Sequence, residues 1–162
     1  MSEFLLDECK KWLDYEPKTG ILRWKTAKSK INIGNVAGSI NKGYLRIKLS
    51  GKSYYAHRLA WLMFYGNLPD EIDHIDGDKT NNKIKNLRIA TRKQNCLNRK
   101  IQSNNSSGLK GVNWNTDTNS WRVRISDNGK RLDFGLYKSI FEAACVIHSA
   151  RNRFHGEFAN HG

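Results

Sequence analysis

Apolar side chains recur at helical spacing over residues 4–15, where Phe4, Leu5, Cys9, Trp12 and Leu13 share one face. Glu16-Pro17-Lys18-Thr19-Gly20 then reads as a turn into a strand over Ile21–Trp24. Gly34, Gly38 and Gly43 punctuate the next stretch, after which Tyr44, Arg46 and Lys48 alternate with Leu45, Ile47 and Leu49. That is the period of a half-buried strand, turning at Ser50-Gly51-Lys52. The run AHRLAWLMFY, Ala56–Tyr65, predicts a mostly buried helix stopped by Gly66 and Pro69. Short strands are predicted over Glu71–Ile75 and Leu87–Ala90. Between them lie Asp76-Gly77-Asp78 and Asn81-Asn82, a loop dense in turn formers. Thr91-Arg92-Lys93-Gln94 fits a capping box that opens a helix through about Lys100.

Gln102–Gly108, QSNNSSG, has the composition of a linker. Beyond it three strands are predicted, Lys110–Asn115, Trp121–Ser126 and Arg131–Tyr137. The last two join at Asp127-Asn128-Gly129-Lys130, because Asn-Gly accepts the positive φ angles of a tight hairpin. Ser139, with Glu142 three residues on, caps a helix to about Phe154 that lays Ile140, Ala143, Ala144, Ile147 and Ala150 on one stripe. Trp121, Val123 and Ile125 alternate with Arg122, Arg124 and Ser126, and Leu132, Phe134 and Leu136 with Arg131 and Asp133. The apolar set meets the helix and the arginines face outward. Trp121 falls in the core, while Trp114 reads equally as a core or sheet-edge residue and as a stacking surface for a sugar or base. The fold class is α+β. A β-rich unit spans residues 1–53, a strand–loop–strand–helix unit 54–101, a linker 102–109, and three antiparallel strands backed by one helix 110–162.

A length of 162 residues accommodates one medium domain or two to three small ones. Lys and Arg number 28 against 15 Asp and Glu, a net charge of +13 that fits a neutral metabolic enzyme poorly and points to a polyanion, nucleic acid first. The excess is uneven. Residues 1–16 hold five acids against Lys10 and Lys11, whereas residues 83–131 hold twelve bases against Asp117 and Asp127. Those bases are interleaved with Asn and aromatic residues rather than with Glu at i,i+4 spacing, which favours a binding face over a merely solvated one. The longest apolar stretches, such as Leu59–Phe64, fall short of the roughly 18 residues of a membrane span, and MSEFLLDECKKW lacks a signal-peptide layout. The expectation is a soluble cytoplasmic protein with no membrane partner. Cys9, Cys96 and Cys145 are far apart and never in a CxxC pair, which argues against a disulfide framework and a structural zinc knuckle.

The segment His57–Asn95 carries HRLAW, Asp73-His74-Ile75-Asp76-Gly77, the Asn81-Asn82 pair, Asn86-Leu87-Arg88 and Asn95. Over about a quarter of the chain it resembles the HNH endonuclease family, in the branch common in phage and homing endonucleases, with a ββα-metal core. The resemblance implies His74 as the general base that activates water, Asp73 as a metal ligand, Asn86 as the residue bracing the loop, and Asn95 as the second protein ligand. Many relatives have His at that last position. Asn offers a hard amide oxygen suited to Mg²⁺, with Mn²⁺ as a substitute, and this argues against a catalytic zinc. Hydrolysis of a phosphodiester places negative charge on the non-bridging oxygens and the departing 3′-oxygen, which one divalent cation stabilises while His takes a proton. Adjacent residues on a regular strand point to opposite faces, so Asp73 and His74 serve one phosphate only if the strand ends or twists there. His57 reads as a residue that caps or braces its helix, with a direct catalytic role as the alternative, and Asp76 and Asp78 as residues that shape the loop, or either of them as one that approaches a second cation.

Gly111–Asn160 carries GV, WRVRI, the FG of the third strand, the EAA of the helix and FHGEFAN. It resembles the Apetala-two or ethylene-response-factor type of DNA-binding domain, whose three-stranded sheet lies in the major groove. The contacting positions implied are Lys110, Asn113, Asn115, Arg122, Arg124, Ser126, Arg131 and Asp133. Outward Arg and Asn suit a groove about 12 Å wide, where Arg reads guanine and Asn reads adenine. Plant relatives carry Arg where this chain has Asn113 and Asn115, so their target sequence does not transfer. Together the two resemblances imply a Mg²⁺-dependent endonuclease on double-stranded DNA, in a bacterial or phage-infected cell, as a monomer or homodimer without an obligate protein partner. The alternative is a sequence-specific DNA-binding regulator whose HNH unit is only a scaffold. An RNA partner is disfavoured by the lack of paired aromatic stacking platforms.

Overall fold

The computed structural model describes residues 2–27, 32–99 and 101–161, and the helix expected to run through about Lys100, which lies outside the described residues, ends at Leu97. The protein is a mixed α/β chain with four small antiparallel sheets and, among the described residues, four α-helices. It divides into two compact units, Met1–Arg92 and Lys93–Gly162. No helix among the described residues is long and apolar enough to cross a membrane.

In the first unit, α1 (Ser2–Trp12) stops earlier than the helical spacing suggests. Leu13 instead opens β1 (Leu13–Glu16), which pairs with β2 (Ile21–Trp24) in the register Leu13↔Trp24 to Glu16↔Ile21. The turn between them ends at Gly20, where φ is +78° and a Cβ would stand 2.4 Å from the Lys83 amide nitrogen. Only glycine satisfies both that conformation and that approach. A three-stranded meander follows, β3 (Ser39–Asn41), β4 (Tyr44–Leu49) and β5 (Lys52–Tyr55). Ser50 and Gly51 turn it with φ of 45° and 82°, the left-handed pair of a two-residue hairpin loop. Next, α2 (Ala56–Tyr65) is closed by Gly66, whose N–H donates to the Leu62 carbonyl. β6 (Ile72–His74) then pairs with β7 (Leu87–Ile89), and a 3₁₀ turn over Ile84–Asn86 lies in the loop between them.

Cys9, Leu13, Leu22, Ile47, Leu49, Leu59, Leu62, Ile72 and Leu87 form one buried cluster. The expected boundary after residue 53 therefore runs through a continuous core. The reason lies in α2: Ala56, Leu59, Ala60, Trp61 and Leu62 are all buried, and a helix apolar on most of its circumference needs cover from more than one neighbour.

In the second unit, the short α3 (Arg92–Leu97) starts at the unit boundary and leads to β8 (Val112–Asn115), β9 (Ser120–Asp127) and β10 (Lys130–Tyr137), in the order β10-β9-β8. Residues 102–108, expected as a linker, include an ordered loop: the Ser107 hydroxyl donates to the Val112 carbonyl at 2.7 Å, and Asn105 Nδ2 to the Leu109 carbonyl at 3.1 Å. Asn128 and Gly129 turn the β9–β10 hairpin with φ of 48° and 75°. The helix α4 (Ile140–His155) begins at Ser139, whose Oγ accepts from the Phe141 N–H. Val112, Val123, Ile125, Ala143, Ile147 and Ala150 make the core. Ile140, placed on the helix stripe by spacing, is exposed instead. Leu136 also departs from the alternation. The pairing slips by one residue between Asp133 and Leu136, so Leu136 faces Arg122 on the outer side and Tyr137 takes the inner place opposite Trp121.

Candidate active site and basic sheet face

All three residues of β6 are buried. Asp73 stands opposite Arg88 in the register, and Arg88 donates from Nε at 3.0 Å and Nη2 at 2.8 Å to one oxygen, Oδ2. Asp73 is only 4% exposed, and the Arg88 guanidinium set against it supplies the ion-pair partner that a carboxylate this deep requires.

His74 is the last residue of β6 and engages a different partner. Its Nε2 lies 3.2 Å from Oδ1 of Asn82, while Asn82 Nδ2 donates to the Thr80 carbonyl at 3.1 Å. The second bond orients the amide, so its oxygen is what the imidazole meets. The ring nitrogen that donates is then Nε2, and Nδ1 carries the lone pair. Burial lowers the His74 pKa, while the Asn82 bond and the Asp76, Asp73 and Asp78 carboxylates oppose that shift. The ring is therefore a neutral base at neutral pH, surrounded by negative charge that favours the imidazolium once formed.

Asn82 is itself 1% exposed. The Tyr15 hydroxyl donates to its carbonyl at 2.7 Å, and the Pro17 carbonyl accepts from the Ile84 amide at 3.1 Å. With Gly20 packed on the same backbone, the β1–β2 hairpin grips the loop that presents Asn82.

His57 forms the wall behind the His74 imidazole. Its ring meets His74 edge-on at 4.9 Å and stacks on Tyr55 at 5.5 Å, and Tyr44 packs on both Tyr55 and His57. Burial, then His74 and then Arg58, pushes its pKa down to about 3, so it is an uncharged aromatic spacer.

In the loop, Asp76 accepts from Asn81 Nδ2 at 2.6 Å, the Asp78 amide at 2.8 Å and Asn86 Nδ2 at 2.9 Å. Burial alone would raise its pKa, but these bonds and His74 hold it below the usual carboxylate range. Asn86 returns the bond, accepting from the Asp76 amide at 3.1 Å and donating to the Asn81 carbonyl at 2.8 Å. Asp78 receives the Thr80 amide and hydroxyl. The first unit thus brings together Asp73, His74 and Asn86, while Asn95 lies on α3 in the second. Sequence reading missed Asn82, Arg88 and the Tyr44–Tyr55–His57 wall. Asn82 was visible only as half of an Asn pair, and Arg88 needed the β6–β7 register.

Among the described residues no three His, Cys, Asp or Glu side chains gather as a metal cluster. The chemistry available is hard carboxylate oxygen in small number. Carboxylate oxygen of this kind fits a hard divalent ion, which keeps several waters and takes one or two carboxylates.

On the second unit's sheet, the register sets Asn113 opposite Arg122, Asn115 opposite Ser120, Arg124 opposite Asp133 and Ser126 opposite Arg131. The register puts Asn113, Arg122, Arg124, Ser126, Arg131 and Asp133 on one face of the sheet, opposite to the face of Val112, Val123 and Ile125. Arg122 Nε also pairs with Asp133 at 3.1 Å. Lys110, just before β8, is instead turned onto the Arg99 carbonyl, and burial with the Arg151 charge lowers its pKa to about 8. Trp114 is 44% exposed and meets Trp121 edge-on.

Residues 54–97 match the family model described as HNH endonuclease. Protein 3.8 of Escherichia phage T7 is 34% identical over 119 residues, covering 70% of this chain and 98% of that protein. An uncharacterized HNH endonuclease of Acanthamoeba polyphaga mimivirus is 33% identical over 106 residues, covering 64% of this chain and 54% of that one, so the chain spans about half of that relative. No solved structure matches the chain.

Proposed function

The chain belongs to the HNH endonuclease family, and from that premise we propose that it is a metal-dependent endonuclease hydrolysing phosphodiester bonds in duplex DNA, with a DNA-binding unit at its C-terminal end. One observation carries the assignment of roles: the chain of bonds from Thr80 through Asn82 to His74 sets the imidazole tautomer. Nδ1 of His74 takes the proton of the attacking water, and Asn82 holds the Nε2–H so that the ring does not turn. Burial keeps the ring neutral and ready to accept. Asp73, Asp76 and Asp78 stabilise the positive charge that the ring acquires. A base so placed is worth about 10²- to 10⁴-fold in rate.

Asp73 is the first unit's residue assigned to hold Mg²⁺, or Mn²⁺ in its place. When bound, the ion neutralises charge developing on the phosphate oxygens. Arg88 pairs with that carboxylate inside the protein. Asn95 carries the ligand role implied by family resemblance, and an Asn95→Ala variant reads it out separately.

In the second unit the outer face of β8–β9–β10 offers Asn113, Asn115, Arg122, Arg124, Ser126, Arg131 and Asp133 to the major groove, in the manner of an Apetala-two type sheet. The alternation of buried and outward side chains along β9 supports that reading. Nicking or cutting of supercoiled plasmid in Mg²⁺, lost in His74→Ala while duplex binding persists, is the expected result. A wild-type protein that binds a duplex and cuts none would leave a DNA-binding regulator. Displacement of duplex by RNA rather than by DNA would overturn the substrate.

A further inference from the structure

At the end of α4 the second unit holds a cleft of about 580 Å³ whose charged lining, among the described residues, has one sign: Arg99, Lys110, Arg124, Arg151 and His155, with no carboxylate. Two of these are not surface groups. Arg151 and His155 are each 7% exposed. Among the described residues no hydrogen bond of ordinary geometry reaches Nε of Arg151 or either ring nitrogen of His155, the Ser126 backbone acting on His155 without meeting that geometry. Nη2 of Arg151 reaches the Leu97 carbonyl only at 3.5 Å. Asp127 acts on His155 from outside the lining, but it is already paired with Lys93 at 2.7 Å.

A guanidinium withdrawn from water without an anion beside it is costly. Its neighbours register the strain: Lys110 is pushed down to about 8 by burial and by Arg151, and His155 is lowered by burial and then by Arg151. One negative charge in the cleft would relieve all three at once.

We propose that this cleft is a binding site for a phosphoryl group, held by Arg151 and Lys110 with Arg124 at its mouth. The planar fork of Arg151 matches phosphate oxygens, and the number of cations exceeds what a single carboxylate requires. The volume lies in the range of about 300–1,000 Å³ typical of ligand pockets, which leaves room for the sugar attached to the phosphate. Arg124 and Asn113 belong both to the cleft and to the outer sheet face, so a strand lying on that face would deliver a backbone phosphate here. A free nucleotide offers the same chemistry. Only the backbone source rests on the DNA-binding reading.

The test follows the arginine Nε–Hε resonances of the full chain by NMR during titration with inorganic phosphate, against chloride at matched ionic strength, and then with a mononucleotide. Phosphate is expected to move the Arg151 resonance saturably while chloride does not, and Lys110→Gln to weaken the response several-fold. In duplex binding, Arg151→Gln is expected to lower the slope of log K against log salt by about 0.9, the loss of one phosphate contact. If that variant does not fold, Lys110→Gln supplies the same measurement. A saturable response with an unchanged slope assigns the site to free phosphate or nucleotide and supports the phosphoryl site. A saturable response in a chain that binds no DNA keeps the site and sinks the DNA reading. No saturable response to phosphate or nucleotide overturns the proposal, even if the duplex binds.

Discussion

β6 holds Asp73 and His74 at 4% and 5% exposure, whereas β9 and β10 hold Arg122, Arg124, Ser126, Arg131 and Asp133 on a face that solvent reaches. In the first sheet the buried polar groups are held by partners that arrive from elsewhere in the chain, Arg88 at Asp73 and Asn82 at His74. In the second, the Arg122–Asp133 pair links the face internally, with side chains 39% and 44% exposed. Removing a member of a buried pair strands the other in a medium that cannot solvate it. Removing an outward arginine leaves a neighbour that water satisfies. Equal charges at equal spacing along a strand therefore carry unequal energies.

The largest effect is expected at Arg88. Arg88→Ala leaves the Asp73 carboxylate buried without its guanidinium, which should cost about 3–5 kcal/mol of stability, read as a lower urea midpoint. Arg124→Ala should change that midpoint little. Matching losses in the two variants would erase the contrast between the sheets.

Asn82→Ala comes next. It removes the acceptor of the His74 Nε2–H at a cost of about 1–3 kcal/mol, which if felt in full in the barrier is about a 5- to 160-fold loss of kcat. Because the Asn82 bond raises the His74 pKa, its loss should also move the acidic limb of the kcat/KM profile to lower pH. A slower enzyme with an unmoved limb would make Asn82 structural only.

His57 sharpens the comparison by pH. Its folded pKa of about 3 lies below the ordinary 6.5, so its contribution to stability is complete above pH 6.5 and is lost as pH falls toward 3. At pH 5 the difference of 1.5 units amounts to about 2 kcal/mol of destabilisation. His57→Phe, which keeps an aromatic ring and cannot titrate, should flatten this part of the urea-midpoint profile. A profile with the wild-type slope would assign the acid sensitivity to other groups.

The smallest effect is expected on the open face. Arg122→Ala and Arg124→Ala should each weaken duplex binding, with a salt slope lowered by about 0.9 per phosphate contact and folding unchanged. Arg122, partly neutralised by Asp133, should lose less than Arg124. Unchanged affinity at matched salt would take both residues off the interface.

Much of the local architecture was legible along the chain. β4 and α2 occupy the stretches that alternation and the apolar run mark out, and Gly66 closes the helix where a left-handed residue was needed. The outward arginines of β9 follow directly from a period of two. Leu136 escaped because a one-residue bulge reverses every side chain beyond it, and nothing in the apolar pattern marks where pairing slips. The candidate base, the aspartate before it and Asn86 stood out through a short motif.

What orients the His74 imidazole did not stand out, because the loop of Thr80 and Asn82 and the hairpin of Tyr15 and Gly20 that holds it come from separate segments. Residue types and their spacing suffice to choose helices, strands and the outward basic face, since those depend on neighbours a few positions apart. The shared core of the first unit, the grip of the β1–β2 hairpin on Asn82 and the cation-lined cleft beside Arg151 arise only on folding. Burial is what turns an ordinary histidine, asparagine or arginine there into a group with a fixed partner or an unmet charge.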